Sequence, residues 1–270
     1  MGAIAKQLGI DIDVTAAFVI WGLIFTRTIV MLMITPFLGG RGVPGRVRLV
    51  VGVAVASFVF SHIYNVEWLL PDEKGLILAL FLKEVFFGLV IGLTTIMCFY
   101  AIEAGGRIVD NQRGSANAQI FVPQLGQVSV FGLFQFWLGL SLFLALSGHI
   151  PFLKAFIESF QALPVLSLPR VEAGISPFLQ LMIRMSADVL LWGMQLAAPV
   201  LISIFLTDLV LGIANKMAPQ IPVFELGFVL KGYIGVLMVY VSVLLLVDQM
   251  DVFFKLMHGN VGQVIKFLSR

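Results

Sequence analysis

The sequence predicts an all-α membrane protein, and three observations carry that expectation. Mean hydropathy is +1.03. Charged residues make up 12% of the 270 residues, about half of the ~25% usual in soluble domains. Apolar runs of helical length recur along the chain, and about 20 apolar residues as helix cross a bilayer core, whereas barrel strands need about 10 and alternate in polarity. No sustained alternation occurs here. A net charge of +2 without a basic block argues against nucleic acid as a partner. Cys98 is the single cysteine and lies inside an apolar segment, which excludes an intrachain disulfide and fits an inert buried thiol. With no fixed repeat and no low-complexity tract, one domain over residues 1–270 is the simplest organisation.

The N-terminus has Lys6 followed by Asp11 and Asp13 and no small-residue cleavage pattern, so no removable signal is expected and the first span serves as insertion signal. That span runs from Val14 to Thr35 and contains Arg27, which costs about 2.5–3.5 kcal/mol at a helix centre and faces protein or water. Pro36 ends it. A turn-rich connection follows with Arg41, Arg46 and Arg48. Span two, Leu49 to Ile63, is short for a crossing at about 1.5 Å per residue. The next connection carries Glu67, Asp72, Glu73 and Lys74, so positive-inside logic sets the arginine-rich connection on the cytoplasmic side and the N-terminus outside.

Span three, Leu76 to Ile102, holds Lys83 and Glu84. Neighbours in sequence do not face each other on a helix, so each is expected to pair with another segment. Span four is Val128 to Leu146, with Gln135 as its main polar residue. A short amphipathic helix follows, with Phe152, Phe156 and Phe160 on one face and Lys154 and Glu158 at i,i+4. Such a helix lies along an interface or against another protein. From Pro177 to Lys216 the chain is helical in pattern for about 60 Å, and Pro199 predicts either two half-length helices or one bent element. The last span, Leu226 to Val247, contains Lys231 and leads into a polar, amphipathic tail, residues 248–270.

Catalytic chemistry finds no support. His62, His149 and His258 lie far apart with no second ligand at helical spacing, and no nucleophile, zinc or phosphate motif is present. A membrane-embedded enzyme is therefore disfavoured, and no cofactor or metal is expected. Intramembrane charges are the next signal: Arg27, Lys83, Glu84, Arg184, Asp188, Asp208 and Lys231. Such groups mark a pathway or relay, or else pair across helices and with partner subunits. Their near balance of sign favours pairing, and Arg184 and Asp188 are spaced to pair within one turn. An ion-coupled or small-molecule transporter would use Asp188 or Asp208 as its coupling site.

The densest polar run is Glu103 to Gln127, which lies between two apolar segments. It has Gly105, Gly106, Gly114 and Gly126, the amides Asn111, Gln112, Asn117 and Gln119, and the helix breaker Pro123. Unsatisfied backbone cannot face hydrocarbon, so this stretch is either an extramembrane loop or irregular backbone lining an aqueous cavity. Composition favours the loop. In a constriction, the glycines would supply tight turns and the amides would hold a closed state.

The segments PFLGGRGVPGRVR, AGGRIVDNQRG, LALSGHIPFLKAFIESFQALP and LAAPVLISIFLTDLVLGIANKMAPQIPVFELGFVLKGYIG resemble the FliR/SctT family, membrane components of the type III export apparatus of bacterial flagella and injectisomes. The similarity runs in order from about Arg27 to Tyr233. Its most specific element is the pattern of Ala218, Pro219, Gln220, Val223, Phe224, Gly227, Leu230 and Lys231. The resemblance implies bent helical hairpins packed into a helical multi-subunit export gate in the bacterial inner membrane, projecting to the periplasmic side. It also implies FliP/SctR-like and FliQ/SctS-like partners in multiple copies, an FlhB/SctU-like switch protein, surrounding lipid, and unfolded secreted proteins as cargo. The stretch from Gly105 to Pro123 would be a pore plug, carried by Gly105, Gly106, Arg107, Asp110, Asn111, Gln112, Arg113, Gly114 and Pro123. The turn APQIPVF would organise the last two helices.

Overall fold

The computed structural model describes residues 14–40, 43–63, 70–71, 73–114, 120–122, 126–168, 176–220 and 222–268; Arg41, Asn117, Gln119 and Pro123 lie outside them. The fold is all-α apart from one short strand pair. In chain order the elements are α1 (Val14–Ile34), the single turn α2 (Pro36–Gly39), α3 (Gly45–Ile63), α4 (Lys74–Gln112), β1 (Ile120–Val122), β2 (Gly126–Val128), α5 (Val130–Ala145), α6 (His149–Ala162), α7 (Ser176–Met217) and α8 (Val223–Leu268). Five of these helices, α1, α3, α4, α7 and α8, are long and apolar enough to cross a membrane. The protein is an all-α membrane protein.

Several boundaries differ from the sequence expectation. Pro44 immediately precedes α3, which starts at Gly45, so span two has 19 residues rather than a short 15-residue core and includes Arg46 and Arg48. Helix α4 does not stop near Ile102 but continues for 39 residues to Gln112. Pro199 does not divide α7, which is helical over 42 residues. Proline removes one backbone donor and is tolerated in spans where neighbouring groups re-satisfy the freed backbone. The polar tail is likewise not separate, because α8 runs through Asp248 for 46 residues to Leu268. At about 1.5 Å per residue, α4, α7 and α8 each measure about twice a hydrocarbon core.

The chain clusters into two compact units. The first comprises residues 1–96, 149–181 and 258–270. Its core joins Ile20, Leu23, Ile24 and Met31 of α1 to Ala56 and Val59 of α3 and to Phe152, Phe156 and Phe160 of α6. The phenylalanine face of α6 is thus buried on the chain's own α1 rather than left for an interface or another protein, with Phe37 edge-on to Phe152 at 5.1 Å. Helices α1 and α4 approach closely at Gly88, where a Cβ would lie 2.6 Å from the Arg27 carbonyl oxygen. Gly88→Val is therefore expected to force the helices apart and to cost about 1–3 kcal/mol as overpacking, read as a lowered Tm of the detergent-purified protein.

The second unit comprises residues 97–148 and 182–257. Phe99, Phe143 and Phe254 form one aromatic cluster, with centroids 5.2–5.8 Å apart, and Trp192 stacks on Phe253 at 4.7 Å. A second cluster unites Val109 of α4, Ala197, Val200 and Ile204 of α7, and Val239 of α8.

Candidate gate loop and buried charges

The chain from Glu103 to Gln112 is the last part of α4, not a loop. Two adjacent glycines disfavour helix by about 1 kcal/mol each, yet both are required by close approach. A Cβ on Gly106 would collide with the backbone of Phe131 and Gly132 on α5. One on Gly105 would lie about 3.0–3.1 Å from Leu196, from the Gly193 carbonyl and from Oε1 of Gln135. Gly105 and Gly106 therefore serve helix packing and make no turns. Gly114, by contrast, has φ +76° and does end the helix in a turn.

Beyond Gly114 the described chain resumes as an antiparallel pair, Ile120–Val122 with Gly126–Val128, in which Phe121 stands opposite Gln127. The strands are joined by residues 123–125, which lie outside the described residues. A three-residue connection is an ordinary hairpin length, so the second half of the polar stretch is a β-hairpin.

The two ends of this segment are tied together by Asp110. Its Oδ2 accepts the Ser129 hydroxyl at 2.5 Å and the Phe131 N–H at 2.9 Å. Ser129 is the N-cap of α5, and its Oγ accepts the Gly132 N–H at 2.9 Å. A carboxylate at the first turn satisfies an otherwise orphaned donor and matches the positive end of the helix dipole. On the other side, Arg113 Nη1 reaches Asp110 Oδ1 at 3.3 Å, and its guanidinium carbon sits 4.7 Å from the Phe131 ring centroid. Asp110 and Arg113 thus lie at the base of the loop, joined to each other and to the start of α5. Arg107 does not: it pairs with Glu103 on its own helix, at 2.5 Å and largely exposed. Asn111 and Gln112 are exposed at the end of α4.

Of the intramembrane charges, Arg27, Glu84 and Lys83 come together in the first unit. The Arg27 guanidinium makes a two-pronged contact with Glu84, through Nε to Oε2 and through Nη2 to Oε1 at 3.0 Å, with both side chains fully buried. Lys83 also reaches Glu84 Oε1, at 2.9 Å. Adjacent residues on a helix are splayed, yet the long lysine stem folds back far enough to pair, so Lys83 and Glu84 bind each other as well as other segments, contrary to the expectation from their spacing. Arg27 then caps the end of α6, and Lys83 holds the turn that follows it. Arg27 donates to the carbonyls of Ser159 and Leu163 at 3.2 and 2.9 Å. Lys83 donates to those of Pro164, Val165 and Ser167 at 2.8, 2.8 and 3.0 Å. The last carbonyls of a helix lack internal partners and carry its negative end, so a cation there supplies both charge and donors. Phe160 covers the Arg27 guanidinium at 4.1 Å.

Elsewhere, Asp208 of α7 pairs with Lys231 of α8 at 2.5 Å, across the hairpin whose turn contains Ala218, Pro219 and Gln220. The remaining motif residues, Val223, Phe224, Gly227 and Leu230, lie in the first turns of α8. Arg184 and Asp188, spaced to pair, form no ion pair among the described residues; Arg184 is exposed. Sequence reasoning missed Ser129 and Phe131. A serine just before the apolar run VFGLF is an N-cap signal that could have found the first, but nothing local links either to Asp110.

A family model for bacterial export proteins, family 1, matches residues 18–257. The chain belongs to this FliR/SctT family. The match extends beyond the Arg27–Tyr233 stretch in which the resemblance is visible by motif. Among FliR/SctT relatives, the flagellar biosynthetic protein FliR of Bacillus subtilis is 32% identical over 232 residues, covering 85% of this chain and 87% of the relative. The Yop proteins translocation protein T of Yersinia pestis is 31% identical over 189 residues, 70% and 71% of the two chains. FliR of Escherichia coli is 26% identical over 211 residues, 78% of each. Membership in FliR/SctT makes the chain a membrane component of a type III export apparatus rather than an enzyme.

Proposed function

We propose that this FliR/SctT chain is a structural and gating subunit of the type III export channel, and that the polar segment from Glu103 to Gln127 plugs the pore through which unfolded proteins pass. The observation that carries the reading is the Asp110 clasp. It ties the end of one membrane-length helix to the start of the next apolar helix, and so brings the two ends of the intervening segment together. A flexible surface connection has no need of a buried carboxylate bonded at both ends.

Assembly with FliP/SctR-like and FliQ/SctS-like subunits in multiple copies, and with an FlhB/SctU-like protein, accounts for the long exposed apolar faces of α7 and α8, which include Leu190, Phe205, Val210, Tyr233 and Leu244. The assembled gate would sit in the bacterial inner membrane and project to the periplasmic side. A transporter that couples to Asp208 gains no support, because that carboxylate is already paired with Lys231.

A photo-crosslinker at Asn111 or Gln112 tests the reading in cells that export a cargo protein stalled in transit. Both side chains are exposed at the end of α4, so cargo adducts are expected at these positions and not at the lipid-length face of α7, for instance Ile202. Equal labelling at both places, or none at Asn111 and Gln112, would remove these residues from the pathway.

A further inference from the structure

We infer that α8 carries the seat of the loop, with Gly235 and Phe228 as positioning residues that hold Arg113 and Gly114, so that movement of α8 shifts the loop base. The inference rests on the gate reading above. Gly235 is buried. A Cβ there would lie 2.5 Å from Cδ, 2.8 Å from Cγ and 2.9 Å from Nε of Arg113. Those atoms are the middle of the side chain, not its free end, and they are held beyond it by Asp110 Oδ1 at 3.3 Å and by the Phe131 ring. Arg113 can therefore make room only by leaving both contacts. About two turns earlier on α8, Phe228 meets Gly114, where a Cβ would lie 2.6 Å from Cε1 of the ring. Gly114 is the left-handed residue that turns the chain out of α4.

Two successive residues at the start of the loop thus rest on one helix face at points about two turns apart. The buried Nε of Arg113 has no hydrogen-bond partner in the protein. The seat is therefore shaped by steric fit rather than fixed by a full set of polar bonds, as suits a contact that must release. Phe228 and Gly235 lie within and just beyond the family pattern of Ala218 to Lys231, and the inference gives that helix start a role in the gate.

The test uses the full chain coexpressed with its partner subunits, reconstituted into vesicles that contain a pH-sensitive dye, with proton entry measured per assembled complex. Gly235→Ala is expected to raise the leak roughly tenfold, the effect of an ordinary coupling between contacting residues. Arg113→Ala should do the same, and Gly235→Ala combined with Arg113→Ala should leak no more than Arg113→Ala alone, because the collision is gone. Phe228→Ala, which adds no volume, gives the same direction if Gly235→Ala fails to assemble. Additive leaks in the double variant, or sealed membranes in all of them, overturn the seat. Deletion of residues 107–119 is the control: if it leaks while the α8 variants stay sealed, the seat is wrong and the gate stands. If the deletion itself stays sealed, the gate reading fails and the seat falls with it.

Discussion

Glu84→Ala is expected to prevent accumulation of the folded protein, or to lower its stability by about 3–5 kcal/mol, the cost of leaving a buried charge without its partner. The reason lies in the arithmetic of the cluster. Glu84 is the one anion shared by Arg27 and Lys83, all three buried. Without it two cations face each other in an apolar core, compensated only by the carbonyls at and just beyond the end of α6. Against a total stability of about 5–15 kcal/mol, that loss is decisive. The discriminating control is the triple change Arg27→Met, Lys83→Met and Glu84→Leu. It removes every charge and is expected to be more stable than Glu84→Ala, although still below the parent because the carbonyls of Leu163, Val165 and Ser167 lose their side-chain donors. Thermal unfolding of the purified proteins checks both. A Glu84→Ala Tm equal to the parent's would show that the cluster contributes nothing to the fold.

The sequence made the helices legible because a bilayer imposes a length and a polarity that composition reports directly. It also showed that Arg27 and Glu84 needed partners. What it concealed were distances set by packing. Gly105, Gly106 and Asp110 read as loop residues by every local preference, yet they are helical, and the glycines fit there because a Cβ on Gly106 would collide with the α5 backbone and one on Gly105 would press on α7. Pro199 reads as either a break or a bend, and the chain is one helix through it. The phenylalanine face of α6 signalled an apolar neighbour without saying that the neighbour was α1 of the same chain. The segment was legible as a polar run, whereas its clasp joins Asp110 to residues 19 and 21 positions away, a separation that no helical or strand period marks.

Deletion of residues 107–119 has the second large expected effect, because it removes the Asp110 clasp, the Arg113 seat and the first part of the loop together. Coexpressed with the partner subunits, the shortened chain should still assemble, since the cores built on Ile24, Phe156 and Phe254 lie outside the deleted segment and the α4–α7–α8 cluster loses only Ile108 and Val109. The channel it lines should then stand open to small ions at rest. Proton entry into vesicles that hold the assembled complex is the most direct measurement of the gate: the account predicts sealed vesicles for the intact chain and a sustained leak for the deletion at equal amounts of assembled complex. Equal, low permeability in both would contradict it.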